Sequence, residues 1–173
     1  MNSEERRRVI IDLLCKSTQP ISASVLAGEL HVSRQVIVGD VALLRSAGET
    51  IIATPRGYLF GKEHDGILHQ IAVKHTPDET EAELNAIVDQ GCTVKDVIVE
   101  HPVYGQLTGS LQLSNRYDVS QFLDRCRNAD AKPLSKLTGG IHLHTISCPD
   151  EAAYGRVMDT LKKLSFLLGD PED

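Results

Sequence analysis

Residues 22–40 read SASVLAGELHVSRQVIVGD and contain two short segments with the apolar spacing of amphipathic helices. Ser22 and Ser33 each stand where a helix N-cap is expected, immediately before an apolar-periodic segment. Only His31 and Val32 separate the two segments, so the sequence predicts two helices joined by a tight turn. The positions expected to face the core are Val25, Leu26, Leu30, Ile37, Val41 and Leu44.

The flanking segments extend this pair of helices into a larger unit. An earlier helix is predicted over Glu4–Lys16, and the second helix of the pair is predicted over Arg34–Ala47. Residues 49–54 and 57–60 are β-rich and are expected to form a hairpin with Arg56 at its tip. Three helices followed by such a hairpin predict a helix-turn-helix with a wing.

In a helix-turn-helix the N-terminal part of the last helix reaches base edges in DNA. The charge distribution agrees with this role. Residues 1–62 carry eight basic and six acidic residues, a net charge of +2, whereas residues 63–173 carry a net charge of −8, so that the whole chain has a net charge of −6. A small helical scaffold without a DNA role is the alternative interpretation. The candidate DNA-binding residues are Ser33, Arg34, Gln35 and Val38, with Arg56 on the wing.

Length and composition favour two compact domains, which we place at residues 1–62 and 63–173. No apolar run approaches the roughly 20 residues needed to cross a bilayer, and the N-terminus lacks a signal-peptide pattern, so we expect a cytoplasmic protein. The four cysteines are scattered without a Cys-x-x-Cys pair, and we expect reduced, mostly buried thiols.

The second domain is predicted to be an α+β open-faced sandwich with the element order β-α-β-β-α-β-α. Its first helix is expected to begin at the capping box Thr76–Glu79, and its last helix is expected to continue from Asp150 toward Leu168. The expected strands are Ile67–Lys74, Val94–His101, Leu107–Leu113 and Ile141–Ser147, with a middle helix over Asp118–Asn128.

Four side chains of this domain have the chemistry of transition-metal ligands: His75, Glu83, His142 and His144. His142 and His144 lie two apart on one predicted strand and therefore share a face. His75 follows a preceding strand, and Glu83 lies about two turns into the next helix, so the four can converge. Zinc, nickel, iron and copper all suit this set. A His-x-His pair that only forms hydrogen bonds is the alternative.

Two sets of motifs resemble known families. The residues LAxxLxVSRQxI at 26–37, LRxxG at 44–48 and RGY at 56–58 resemble the biotin-repressor type of winged helix. The residues KHT at 74–76, Glu83, VEHPVYG at 99–105 and LxxLTGGIHLHT at 134–145 resemble the 3H domain of niacin-responsive transcription repressors.

This resemblance implies that residues matching His75, Glu83, His142 and His144 hold nickel or zinc. It also implies that nicotinic acid is the corepressor, controlling genes for niacin uptake and NAD biosynthesis. Gly39 departs from a typical recognition helix, because it costs roughly 1 kcal/mol of helix propensity and removes a potential DNA-contacting side chain. The operator sequence is therefore left open.

We hypothesise that an open metal position coordinates nicotinic acid, with His101, Tyr104 and Arg116 as neighbours that close over it. The protein is expected to act as a homodimer whose recognition helices, about 34 Å apart, match a palindromic operator. In this interpretation it is a regulator and not an enzyme.

The sequence offers three alternatives to this function. A metal-dependent hydrolase fused to a DNA anchor would use the same metal site, with Asp78, Glu79 or Glu81 as the proton acceptor. A phosphocarrier would use His75 near a helix start. A ligase is disfavoured, because Gly139-Gly140 alone does not make a nucleotide-binding loop.

Overall fold

The computed structural model describes residues 1–61, 66–129 and 132–169. The chain divides into two compact units, Met1–Glu63 and His64–Asp173. The domain boundary predicted between residues 62 and 63 lies outside the described residues. No helix in the described part of the chain is long and apolar enough to span a membrane.

The first unit is a three-helix domain followed by a hairpin, as predicted, but the expectation that Val25 faces the core is wrong, because Val25 is 52% exposed. The tight turn between its second and third helices brings their apolar faces onto one core formed by residues such as Ile10, Leu26 and Ile37, all 0% exposed. The elements are α1 (Ser3–Lys16), α2 (Ala23–Glu29), α3 (Arg34–Ser46), β1 (Ile51–Thr54) and β2 (Gly57–Phe60).

The predicted N-caps are present at both helices of the pair. The Ser22 hydroxyl accepts from the amide of Val25 at 3.2 Å, and the Ser33 hydroxyl accepts from the amide of Val36 at 3.3 Å. Each cap satisfies an amide that has no partner within its own helix, which sets where the helix begins.

The wing is tied to the helices by backbone hydrogen bonds that the local sequence does not indicate. Ile21 and Tyr58 form an antiparallel bridge with N–O distances of 2.8 Å in both directions. Gly57, at φ +139°, makes this approach possible, because a Cβ at that position would lie 2.4 Å from the backbone of Ile21.

The start of α1 is joined to α3 through a buried carboxylate. Asp40 is 3% exposed and accepts two hydrogen bonds from Arg6, at 2.6 and 3.2 Å, with Arg7 3.5 Å away. These contacts fix the third helix against the first, and they leave Arg6 committed to the protein interior.

The second unit has the predicted order of helices and strands. Its strands are β3 (Ile67–Lys74), β4 (Thr93–His101), β5 (Gly105–Leu113) and β6 (Ile141–Cys148), and its helices are α4 (Thr80–Val88), α5 (Arg116–Asn128) and α6 (Glu151–Lys163). Two 3-10 turns, Pro77–Glu79 and Leu134–Thr138, add to these elements.

The four strands form one antiparallel sheet in the order β3-β6-β4-β5. All three helices contribute to a single core with the sheet, through residues such as Ile87, Val119 and Leu161. The open-faced α+β sandwich predicted from the sequence is confirmed, and β6 occupies the sheet interior, where its side chains are shielded from both edges.

Two features of this unit differ from the predictions. The last helix ends at Lys163, because Ser165 adopts a left-handed φ of 61° and Leu167 then pairs with Val73 as a β-bridge. The apolar repeat toward Leu168 therefore belongs partly to an extended segment beside β3. The 3-10 turn Leu134–Thr138 was not predicted.

The cysteines are free, but only two of the four are buried. Cys92 and Cys148 lie in the sheet core, and Cys126 is half-buried. Cys15 is exposed on α1, so the expectation of mostly buried thiols is wrong there.

Candidate metal centre

The four predicted ligands come from three elements of the second unit and meet in its interior. His75 follows the end of β3, Glu83 lies on α4, and His142 and His144 lie on β6. Because β3 and β6 pair with Val73 opposite His142, the end of β3 brings His75 beside the two β6 imidazoles. We call these four residues the His-Glu cluster.

The three imidazoles of the cluster surround one carboxylate. The Nε2 atom of His75 lies 2.6 Å from Glu83 Oε2, that of His144 lies 3.0 Å from Oε1, and that of His142 lies 3.5 Å from Oε2. All four side chains are only 1–3% exposed. The rings pack edge to face, with centroids of His75 and His142 4.9 Å apart.

Each imidazole is oriented by a hydrogen bond from its other ring nitrogen to a backbone carbonyl. The Nδ1 atoms of His75, His142 and His144 lie 2.7, 2.9 and 2.6 Å from the carbonyl oxygens of Thr76, Gly140 and Asp96, respectively. A carbonyl can only accept, so Nδ1 carries the proton in all three rings. In the neutral imidazole, Nε2 is then a lone pair directed at Glu83.

This arrangement has a chemical consequence. Three Nε2 lone pairs and a carboxylate all present electron pairs to the same small volume, which is unfavourable unless a positive charge lies among them. Protonating all three rings would bury three positive charges against one negative charge, which is costly. A divalent cation bound by three neutral imidazoles and one carboxylate leaves a single net charge, and carbonyl-oriented histidines are the usual surroundings of such an ion.

The pKa values of the metal-free cluster reflect the same conflict. Burial acts to lower the pKa of His75 and of His144, but the charge and hydrogen bonding of Glu83 outweigh it and raise both pKa values. Burial acts to raise the pKa of Glu83, but the charge of His144 and the close contacts with all three imidazoles hold it well below its usual range. Glu83 is therefore ionised, as a metal ligand must be.

Two atoms of the cluster remain without a hydrogen bond of acceptable geometry among the described residues. These are His144 Nε2 and Glu83 Oε1, both buried and 3.0 Å apart. Buried polar atoms without partners are rare and commonly indicate an ion or water. Within the described residues, candidate ligand atoms of His75, Glu83 and His142 lie within 4.8 Å of one another. The residues present thus fit a transition-metal ion.

The sequence did not reveal the backbone groups that orient the cluster. The Asp96 carbonyl lies 48 residues from His144 in sequence, at an irregularity in the register of β4. The Asp96 carboxylate also accepts from the Thr145 amide at 2.8 Å. Irregular strand pairing of this kind changes the direction of backbone groups next to functional sites, and the pattern of side chains in the sequence does not indicate where it occurs.

The candidate DNA-binding residues lie at the start of α3 and on the wing. Ser33, Arg34 and Gln35 are exposed, whereas Val38 is half-buried and packs against the first core. Arg56 is half-buried at the hairpin tip and donates to the side-chain oxygen of Gln19 at 3.4 Å. The structure therefore places three of the five on the open surface, and their contact with DNA stays a prediction.

The three candidate effector-binding residues make contacts with residues outside the His-Glu cluster. Arg116 donates to both carboxylate oxygens of Asp89, at 2.7 and 2.5 Å. His101 and Tyr104 organise the turn between β4 and β5, where His101 Nδ1 accepts from the amides of Val103 and Tyr104. Their role in effector binding stays a prediction.

Glu79 and His75, which the hydrolase and phosphocarrier alternatives require, are both held by hydrogen bonds within the protein. Glu79 accepts from the amide and hydroxyl of Thr76, at 2.8 and 3.0 Å, so it is engaged in the predicted capping box. The His75 ring is 1% exposed, and both of its nitrogens have partners. Such a ring is inaccessible to a phosphate donor. These contacts favour neither the hydrolase nor the phosphocarrier.

The fold and site define a DNA-binding regulator with a helix-turn-helix unit and a second unit that encloses a candidate metal centre. Residues 6–59 match the model of an HTH domain, and residues 68–170 match that of the 3H domain. The chain is 47% identical to the probable transcription repressor NiaR of Thermotoga maritima over 95% of this chain and 94% of that protein. It is 41% identical to the transcription repressor NadR of Bacillus subtilis, with the same shares covered. The chain belongs to this family of 3H-domain transcription repressors.

Proposed function

We propose that the protein is a metal-dependent transcription repressor that binds operator DNA in response to nicotinic acid and controls genes of niacin uptake and NAD biosynthesis. The observation that carries the metal part is the His-Glu cluster, in which three carbonyl-oriented imidazoles face one buried carboxylate. The family membership supports the repressor part.

In this proposal His75, Glu83, His142 and His144 hold nickel or zinc. Bound there, the ion neutralises the charge of Glu83 and the lone pairs of the imidazoles. It thereby links the end of β3, α4 and β6, because each of these elements supplies a ligand. Metal binding is coupled to the stability of the second unit, since a ligand that binds only the folded state stabilises it.

In the first unit, Arg34 and Gln35 contact DNA from the exposed start of α3, with Ser33 at a phosphate and Arg56 on the wing. The protein acts as a homodimer on a palindromic operator. Nicotinic acid is a corepressor, so it favours the DNA-binding state by its higher affinity for that state.

The test begins with the metal content of protein purified without added metal. DNA affinity is then measured by fluorescence anisotropy on an operator selected from random duplexes, with and without metal and nicotinic acid. We expect about one equivalent of nickel or zinc per chain and at least about fivefold tighter binding with metal and acid together. The mass in solution should be twice that of the chain.

A pair of variants separates the metal-dependent response from general damage. His142→Ala should lose metal and the response to nicotinic acid while keeping salt-sensitive basal DNA binding. His69→Ala, which removes a histidine of β3 outside the cluster, should keep both the metal and the response to nicotinic acid. If the wild type bound its operator equally well with and without nicotinic acid, the corepressor role would be excluded.

A further inference from the structure

A cavity of about 460 Å³ lies beside the His-Glu cluster. One wall is the end of β3 with the turn that follows it, and the other is the 3-10 turn Leu134–Thr138 with the two glycines after it. The volume lies within the roughly 300–1,000 Å³ typical of small-molecule sites. Its lining includes the side chains of Lys74, Pro77, Glu79, Ser135 and Lys136.

The lining contains two lysines, Lys74 and Lys136, and one carboxylate, Glu79, which is already hydrogen-bonded to Thr76. Lys74 and Lys136 have no ion-pair partner within the described ranges of the chain. Hydrogen bonds from the amide and hydroxyl of Thr76 lower the pKa of Glu79, which is therefore ionised. Lys74, Lys136 and Glu79 together carry a net charge of +1, which suits a ligand with a single negative charge; His75, which also lines the cavity, is paired with Glu83 in the His-Glu cluster.

The lining also offers groups for the rest of a small acid. Ser135 is 6% exposed, and its hydroxyl makes no hydrogen bond to any described residue, so a donor is available there. Pro77 and the Cα atoms of Gly139 and Gly140 supply the apolar part of the lining. A few polar groups in a partly apolar cavity are typical of sites that orient one ligand.

We propose that this cavity binds a small aromatic monocarboxylate, with the carboxylate between Lys74 and Lys136 and the Ser135 hydroxyl as an additional donor. The assignment rests on the proposed function in taking the effector to be such an acid. It differs from the sequence-based hypothesis, because the acid occupies a position beside the metal ligands and uses none of His101, Tyr104 and Arg116.

The cavity shares backbone with the His-Glu cluster, which provides a route for coupling. Lys74 directly precedes the ligand His75, and the carbonyl of Gly140 accepts the Nδ1 proton of His142 at 2.9 Å. Gly140 packs so closely that a Cβ there would lie 2.5 Å from the His75 carbonyl oxygen. An acid in the cavity therefore touches the backbone that orients two cluster imidazoles. Metal and acid should each raise the affinity for the other by the same factor.

The test is calorimetric titration of the metal-loaded full-length protein with nicotinic acid, benzoic acid, quinolinic acid and the neutral nicotinamide. The variants are Lys74→Gln, Lys136→Gln and the double variant, with Lys162→Gln on α6 as a matched control away from the cavity. Each lysine variant should bind nicotinic acid at least about tenfold more weakly, the loss expected for a charge-assisted hydrogen bond. Nicotinamide binding, metal content and the control variant should be unchanged.

The outcomes separate this inference from the proposed function. Nicotinic acid binding that survives in the double variant but disappears in His142→Ala would overturn the cavity assignment and leave the corepressor role intact. Lysine-dependent binding of benzoic acid, without binding of nicotinic acid, would support the cavity and exclude nicotinic acid as corepressor. Binding of quinolinic acid alone, which carries two carboxylates, would contradict the assignment to a monocarboxylate. If none of the three acids bound the wild type, the cavity assignment would be wrong.

Discussion

Replacing the buried carboxylate of the His-Glu cluster is the sharpest perturbation of the proposed metal centre. Glu83→Gln keeps the size of the side chain, which is only 1% exposed, and removes its charge. The three Nε2 atoms at 2.6, 3.0 and 3.5 Å would then face a neutral amide. The orienting hydrogen bonds from Nδ1 to the backbone carbonyls do not involve Glu83 and should persist.

The size of the effect follows from this burial. Breaking a buried charge pair by removing one partner costs about 3–5 kcal/mol. Applied to the carboxylate and a bound cation, this corresponds to roughly 10²- to 10⁴-fold weaker metal binding. Solvent screening does not reduce the estimate much, because the cluster side chains are only 1–3% exposed.

The measurement is competition between the protein and a chromophoric chelator for zinc or nickel. Glu81→Gln is the matched control, because Glu81 lies on the same helix and is exposed. It should bind metal like the wild type. A Glu83→Gln variant that bound metal within tenfold of the wild type would refute the reasoning, since the carboxylate would then contribute no charge to the site.

Three other predictions follow from the structure. Because Glu83 raises the pKa values of His75 and His144, protons compete with the metal ion for these two imidazoles. Metal affinity should therefore be highest above the raised pKa values and should fall as the pH drops through them. Chelator competition from about pH 8.5 to about pH 5.5 checks this. Gly140→Ala should weaken metal binding by about 10- to 100-fold, because it displaces the Gly140 carbonyl that orients His142. Gly139→Ala should have a smaller effect in the same assay, because a Cβ at that position meets nothing within 4 Å. Leu26→Ala should lower the free energy of unfolding of the first unit by about 2–5 kcal/mol in urea denaturation, whereas Leu43→Ala, at a site 55% exposed, should change it by less than about 0.5 kcal/mol.

Much of the local structure was predictable because it depends on neighbours in sequence. The caps at Ser22 and Ser33 and the capping box at Thr76 place helix starts by hydrogen bonds spanning three residues. The error at the last helix has the opposite origin. The apolar spacing toward Leu168 suits a helix, but Leu167 pairs with Val73, far away in sequence, and that pairing replaces helical hydrogen bonds.

The candidate site was predictable in its side chains but not in its surroundings. The spacing of His142 and His144 places both rings on one face of any strand, and the structure brings them to the same carboxylate. The cavity with Lys74 and Lys136 was not foreseen, because its second wall is a 3-10 turn that the sequence did not predict.

Sequence alone determined the two-part organisation, the helix starts, the strand faces and the residue types that can bind a metal, because all of these depend on periodicity and short-range hydrogen bonds. Tertiary structure decided which backbone carbonyls orient the imidazoles. The strand order β3-β6-β4-β5 places Asp96 against His144 and the turn after β3 against Gly140. Those contacts join residues far apart in the chain, and a carbonyl oxygen is present at every residue, so only the folded backbone selects the ones that are used.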